Sequence, residues 1–184
     1  MMNNGIGKDI ERVLIDAPAI KERLKELGAE IASDYTGKEL LMVGILRGAA
    51  VFYADLARLI PLPLHMNFMA VSSYGQSTES TGAVRIYYDL NEDIKGRDVL
   101  IIEDIVDTGL TLKYLSETLS ARKPASLRTC CLLDKPARRK VEFTPDYIGF
   151  TVPDEFIIGY GIDYAEMYRN LPYIGVLKRS VYEK

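Results

Sequence analysis

The segment from Gly96 to Asp134 is the strongest constraint on the fold. GRDVLIIED (96–104) is a nearly unbroken apolar run, LTLKYLSETLSARK (110–123) places its apolar residues at helical spacing, and SLRTCCLLD (126–134) is a second apolar run. Strand, helix and strand in so short a span make a βαβ unit, and strands apolar at consecutive positions suit a parallel sheet covered on both faces. The reading predicts an α/β fold with a central, mainly parallel sheet flanked by helices.

The rest of the chain agrees. Asp16 as N-cap and Pro18 just after it start a helix, continued by Ile20, Leu24, Leu27 and Ile31 to about Tyr35. ELLMVGIL (39–46) is a buried strand, AAVFYADLARLI (49–60) a helix stopped by Pro61, and LHMNFMAVSS (64–73) and AVRIYYDL (83–90) two more strands. SSYGQSTESTG between them offers no apolar face and reads as a mobile loop over about 72–82. DYIGF, EFIIGY and YIGVLKRSVY add short strands at the end.

No linker or composition break divides the 184 residues, so a single domain is expected. A net charge of −3 disfavours a general nucleic-acid face, although Lys135, Arg138, Arg139 and Lys140 could form a local basic patch. No signal-like or membrane-length apolar run is present, which predicts a cytoplasmic protein without membrane contact. Cys130 and Cys131 are neighbours with no second pair for zinc or redox chemistry, and read as buried thiols. His65, the sole histidine, lies away from every motif below and reads as structural or surface.

VLIIEDIVDTGLTL (99–112) carries the chemistry. Ligands of an open α/β sheet collect beyond the carboxyl ends of its strands, and Glu103 and Asp104 stand at such an end. Asp107, Thr108, Gly109, Leu110 and Thr111 then form the turn into a helix, where free N–H groups, hydroxyls and the helix terminus favour a phosphate. A nucleoside-triphosphate P-loop is excluded, because both Gly-Lys pairs, at Gly7 and Gly37, are followed by acids. The aspartic-protease turn that Asp107-Thr108-Gly109 also resembles needs two copies on an all-β scaffold. Acids beside an anion site are reconciled by a ligand with a phosphate for the turn and hydroxyls, or bridging Mg²⁺, for the carboxylates. A phosphorylated ribose is such a ligand.

Two acids followed by D-T-G-x-T after an apolar strand resemble the phosphoribosyl-pyrophosphate signature of type I phosphoribosyltransferases. Further segments are similar to the hypoxanthine-guanine branch of that family. Leu46-Arg47-Gly48 resembles its pyrophosphate loop, which can hold a non-proline cis peptide. Ser73 and Tyr74 match its catalytic loop, which folds over the site and keeps out water.

Leu132-Leu133-Asp134-Lys135-Pro136 carries its base-reading lysine. Lys135, a donor without an acceptor, suits a 6-oxo group and not a 6-amino group. PDEFIIGYGIDYAEMYRNLPYIG resembles its base pocket, with Phe156 stacking on the purine, Ile157 offering backbone groups, Asp163 near pyrophosphate, Mg²⁺ and base, and Arg169 holding pyrophosphate.

The resemblance implies a type I phosphoribosyltransferase fold with a core over about 36–150 and a small hood from about 1–15 and 151–184. It further implies Mg²⁺ held by Glu103, Asp104 and Asp163, Asp107 as base at purine N7, 6-oxopurine and phosphoribosyl pyrophosphate as substrates, and a homodimer or homotetramer. Xanthine- or guanine-preferring enzymes and nucleotide-sensing RNA-binding regulators share the signature. The acidic charge argues against the regulators.

Overall fold

The computed structural model describes residues 5–73 and 84–183. Six strands form the main sheet: β2 (Leu40–Leu46), β3 (Leu64–Ser73), β4 (Val84–Tyr88), β5 (Asp98–Val106), β6 (Ser126–Asp134) and β7 (Tyr147–Thr151). Their order is β4-β3-β2-β5-β6-β7, parallel throughout except for β4.

Successive residues of a strand face opposite sides of a sheet. Leu100, Ile102, Cys130 and Leu132 therefore pack toward α1 (Ala17–Asp34) and α2 (Ala50–Ala57), while Val99, Ile101 and Cys131 pack toward α3 (Leu110–Ser120). This two-sided burial explains apolar residues at consecutive positions, each buried large side chain contributing about 1.5–3 kcal/mol. Cys130 and Cys131 are free and buried on opposite faces, and burial pushes both thiols well above their ordinary range.

Helix α1 begins as its sequence dictates. Asp16 Oδ1 accepts the Ala19 N–H at 2.8 Å, and Ile20, Leu24, Leu27 and Ile31 form the buried stripe. Helix α2 ends at Ala57, earlier than expected, and the chain turns before Pro61. Among the described residues, no helix is long and apolar enough to cross a membrane.

A second, three-stranded antiparallel sheet joins the two ends of the chain in the order β1-β9-β8, from β1 (Ile10–Ile15), β8 (Ile157–Ile158) and β9 (Ile174–Leu177). No strand was expected at β1, because its partner lies far along the chain. YIGVLKRSVY is a strand only to Leu177; Arg179–Tyr182 closes as a helical turn, α4, instead of continuing. The strand expected to end at Asp104 runs on to Val106, where Ile105 pairs with Leu133 and Val106 with Asp134. The acids therefore lie within the last turns of the ladder and not beyond it.

Candidate active site

The parallel register brings the carboxyl ends of β2, β5 and β6 to one edge. Gly44 is level with Ile102, and Val106 with Asp134. The peptide Leu46–Arg47 that leaves β2 is cis. Gly48 follows against the β5 acids: a Cβ there would lie 1.8 Å from Asp104 Oδ2, so a larger residue would have to push that carboxylate aside. Gly161, at φ +102°, closes from the other side, where a Cβ would lie 2.1 Å from the Gly48 carbonyl oxygen. The Arg47-Gly48 loop is thus held between β5 and the hairpin that follows β8.

Glu103 is buried and Asp104 is its immediate neighbour. Burial, reinforced by the adjacent Asp104 carboxylate, raises the Glu103 carboxyl well above the usual range, and burial raises Asp104 as well. The Asp104 carboxylate accepts the Ile105 N–H at 2.8 Å, and Arg169 also favours its charged form.

The next turn is strapped from outside. Arg139 donates to the Asp107 carbonyl at 2.9 Å and pairs with buried Asp134, and the Lys140 N–H donates to the Thr108 carbonyl at 2.9 Å. Gly109, at φ +81°, precedes α3, and Leu110 and Thr111 open that helix half-buried. Arg138 Nε lies 2.9 Å from Asp107 Oδ1 and pairs with it, although not in hydrogen-bond geometry. Lys135, Arg138 and Arg139 thus answer local acids and carbonyls.

Lys135 is buried and donates to the Glu155 carbonyl at 2.8 Å, and burial lowers its pKa. An ammonium has three donors, so two remain for other acceptors. Phe156 keeps 37% of its surface exposed, with Tyr182 stacked on it at 4.5 Å and Tyr164 edge-on at 5.4 Å. Ile157 is buried in the ladder opposite Val176. A cavity of about 340 Å³ opens here, lined by Arg138, Asp154, Phe156 and Tyr182 among others. That volume is within the range of small-molecule sites.

Asp163 pairs with Arg169 at 2.7 Å and accepts the Glu166 N–H at 2.9 Å. Arg169 also donates to the Gly161 carbonyl at 2.8 Å. Among the described residues no three acids, histidines or cysteines cluster as a complete metal cage. Mg²⁺ is commonly held through one or two carboxylates together with substrate phosphates, and the hard oxygens of Glu103 and Asp104 fit that pattern. Tyr74 lies outside the described residues, and Ser73 is placed only as the end of β3. His65 is exposed at the opposite, amino end of β3.

Sequence reasoning missed Glu166, Tyr164 and Tyr182. An acid and two tyrosines in a turn-rich tail carry no periodic signal, and only the fold brings them to Arg47 and Phe156.

A mainly parallel sheet with a glycine turn, an acid pair and an aromatic wall at its carboxyl edge is the arrangement expected of a phosphoribosyltransferase. The chain belongs to that family, residues 13–165 matching the model of the phosphoribosyl transferase domain. It is 55% identical to the hypoxanthine-guanine phosphoribosyltransferase of Bacillus subtilis, over 95% of this chain and 97% of that protein. It is also 50% identical to the bifunctional protein TilS/HprT of Listeria monocytogenes, over 99% of this chain and 28% of that longer protein. The hypoxanthine phosphoribosyltransferase crystal structure from Staphylococcus aureus superposes with a TM-score of 0.96 at 51% identity, covering all of both chains.

Proposed function

We propose that the protein transfers the 5-phosphoribosyl group from phosphoribosyl pyrophosphate to N9 of hypoxanthine or guanine, forming IMP or GMP and pyrophosphate in purine salvage. The observation that carries this reading is the meeting, at one sheet edge, of the acid pair and anion turn of β5 with buried Lys135 and the exposed ring of Phe156. The hypoxanthine-guanine phosphoribosyltransferase of Bacillus subtilis, similar over nearly its full length, supports the same assignment.

In this reading the N–H groups and hydroxyls from Thr108 to Thr111, with Gly109 and Leu110 between them, bind the 5′-phosphate. Glu103 and Asp104 hold the ribose hydroxyls and, with Asp163 contributing from the hairpin, the magnesium. Mg²⁺ when bound neutralises charge on the pyrophosphate. Arg47, the Gly48 backbone and Arg169 hold that pyrophosphate, and Ser73 and Tyr74 cover the reacting centre.

Asp107 takes the proton at purine N7. Lys135 directs its remaining donors to the 6-oxo group, Phe156 stacks on the base, and Ile157 and Asp163 offer backbone groups to its edge. The β1-β9-β8 sheet acts as the hood over the base. We place the enzyme in the cytoplasm, as a homodimer or homotetramer, with no nucleic-acid or membrane partner.

Incubation with phosphoribosyl pyrophosphate and each of hypoxanthine, guanine, xanthine and adenine, with and without Mg²⁺, tests the reading. Nucleotide is expected from hypoxanthine or guanine and only with Mg²⁺. No IMP or GMP in any arm would refute the enzyme, and turnover after complete chelation would refute the metal.

A further inference from the structure

Glu166 joins the two arginines assigned to pyrophosphate. Its Oε1 lies 2.7 Å from Arg47 Nη2, and its Oε2 lies 3.4 Å from Arg169 Nη2. Arg169 is also fixed by Asp163 and by the Gly161 carbonyl, whereas Glu166 is the acid that meets Arg47 among the described residues. One carboxylate thus bridges the pyrophosphate loop and the hairpin that closes on it.

The backbone shows that the position of Glu166 is specified. Tyr164 and Met167 exchange backbone hydrogen bonds at 3.2 and 3.0 Å around a two-residue turn, and both central residues are left-handed, Ala165 at φ +50° and Glu166 at φ +66°. Such turns favour glycine or asparagine. Alanine and glutamate adopt this conformation at a cost, and persist only where the surroundings hold them. The Asp163 carboxylate secures the Glu166 N–H, and the side chain then reaches the two guanidinium groups.

We propose that Glu166 is an internal substitute for pyrophosphate: its carboxylate holds Arg47 and Arg169 in the empty site, is displaced when pyrophosphate binds, and speeds release of that product by taking the arginines back. The inference rests on the assignment of Arg47 and Arg169 to pyrophosphate. An anion entering the site must separate the carboxylate from its arginines or bind against its charge, and either route weakens binding. The weakening appears mainly as faster dissociation. The Arg47 and Glu166 side chains are 69% and 59% exposed, so the effect is modest.

Calorimetric titration of wild type, Glu166→Gln and Glu166→Gly with magnesium pyrophosphate tests the clamp. Glycine suits φ +66° and protects the experiment from a misfolded turn. Both variants are expected to bind pyrophosphate about two- to fivefold more tightly, with slower dissociation in stopped flow. Unchanged or weaker binding in both variants, with wild type binding normally, overturns the clamp. Wild type that binds no pyrophosphate at all overturns the assignment of the arginines beneath it.

Discussion

Gly48 and Asp104 are in steric contact across the candidate site: a single methyl group on Gly48 would come within 1.8 Å of the Asp104 carboxylate. The Arg47-Gly48 loop therefore rests directly on one member of the acid pair.

Gly48→Ala is the direct test. Overpacking of this kind costs about 1–3 kcal/mol, and here the pressure falls on a loop instead of the core. The KM for phosphoribosyl pyrophosphate should rise at least about tenfold while circular dichroism stays native. Unaltered kinetics would show that the loop does not rest on Asp104 during turnover.

Asp107→Asn keeps the shape of the turn and removes the base. Turnover should fall by about 10²-fold or more, with phosphoribosyl pyrophosphate binding largely spared. If turnover is unchanged, the proton leaves the purine by another route.

Glu103 makes the stability of the ligand-free protein depend on pH. Its carboxyl is raised in the fold, so the folded state binds a proton that the unfolded chain releases near pH 4.3, at about the ordinary glutamate value. Stability therefore falls as pH rises above that value. Glu103→Gln should raise Tm at pH 8 and change it little near pH 4, each kcal/mol appearing as about 2–4 °C. A gain that is larger in acid than in base would reverse the assigned sign.

Lys135→Gln replaces a pure donor with a group that also accepts. Preference for 6-oxopurine over adenine, measured as a ratio of kcat/KM values, should drop about ten- to hundredfold. A ratio that does not move would transfer base reading to another residue.

Much of this architecture was legible in the sequence because its signals are local. Asp16 with its helical stripe, the βαβ unit and the D-T-G-x-T turn each depend on residues within a few positions of one another. What escaped depends on distance. The strand β1 exists because β9 pairs with it, Glu166 reaches Arg47 across 119 positions, and Tyr182 finds Phe156 only through a helical turn that looked like more strand.

The sheet built from the two chain ends imposes an order on biosynthesis. A nascent chain grows from its amino end at about 5–20 residues per second, so β1 is made long before its partner β9. Throughout that interval β1 has no partner, and the acid pair and anion turn stand without their aromatic wall. β9, the last of the described strands to be made, completes the three-stranded sheet, so the aromatic wall around Phe156 forms only after all six strands of the main sheet have been synthesised.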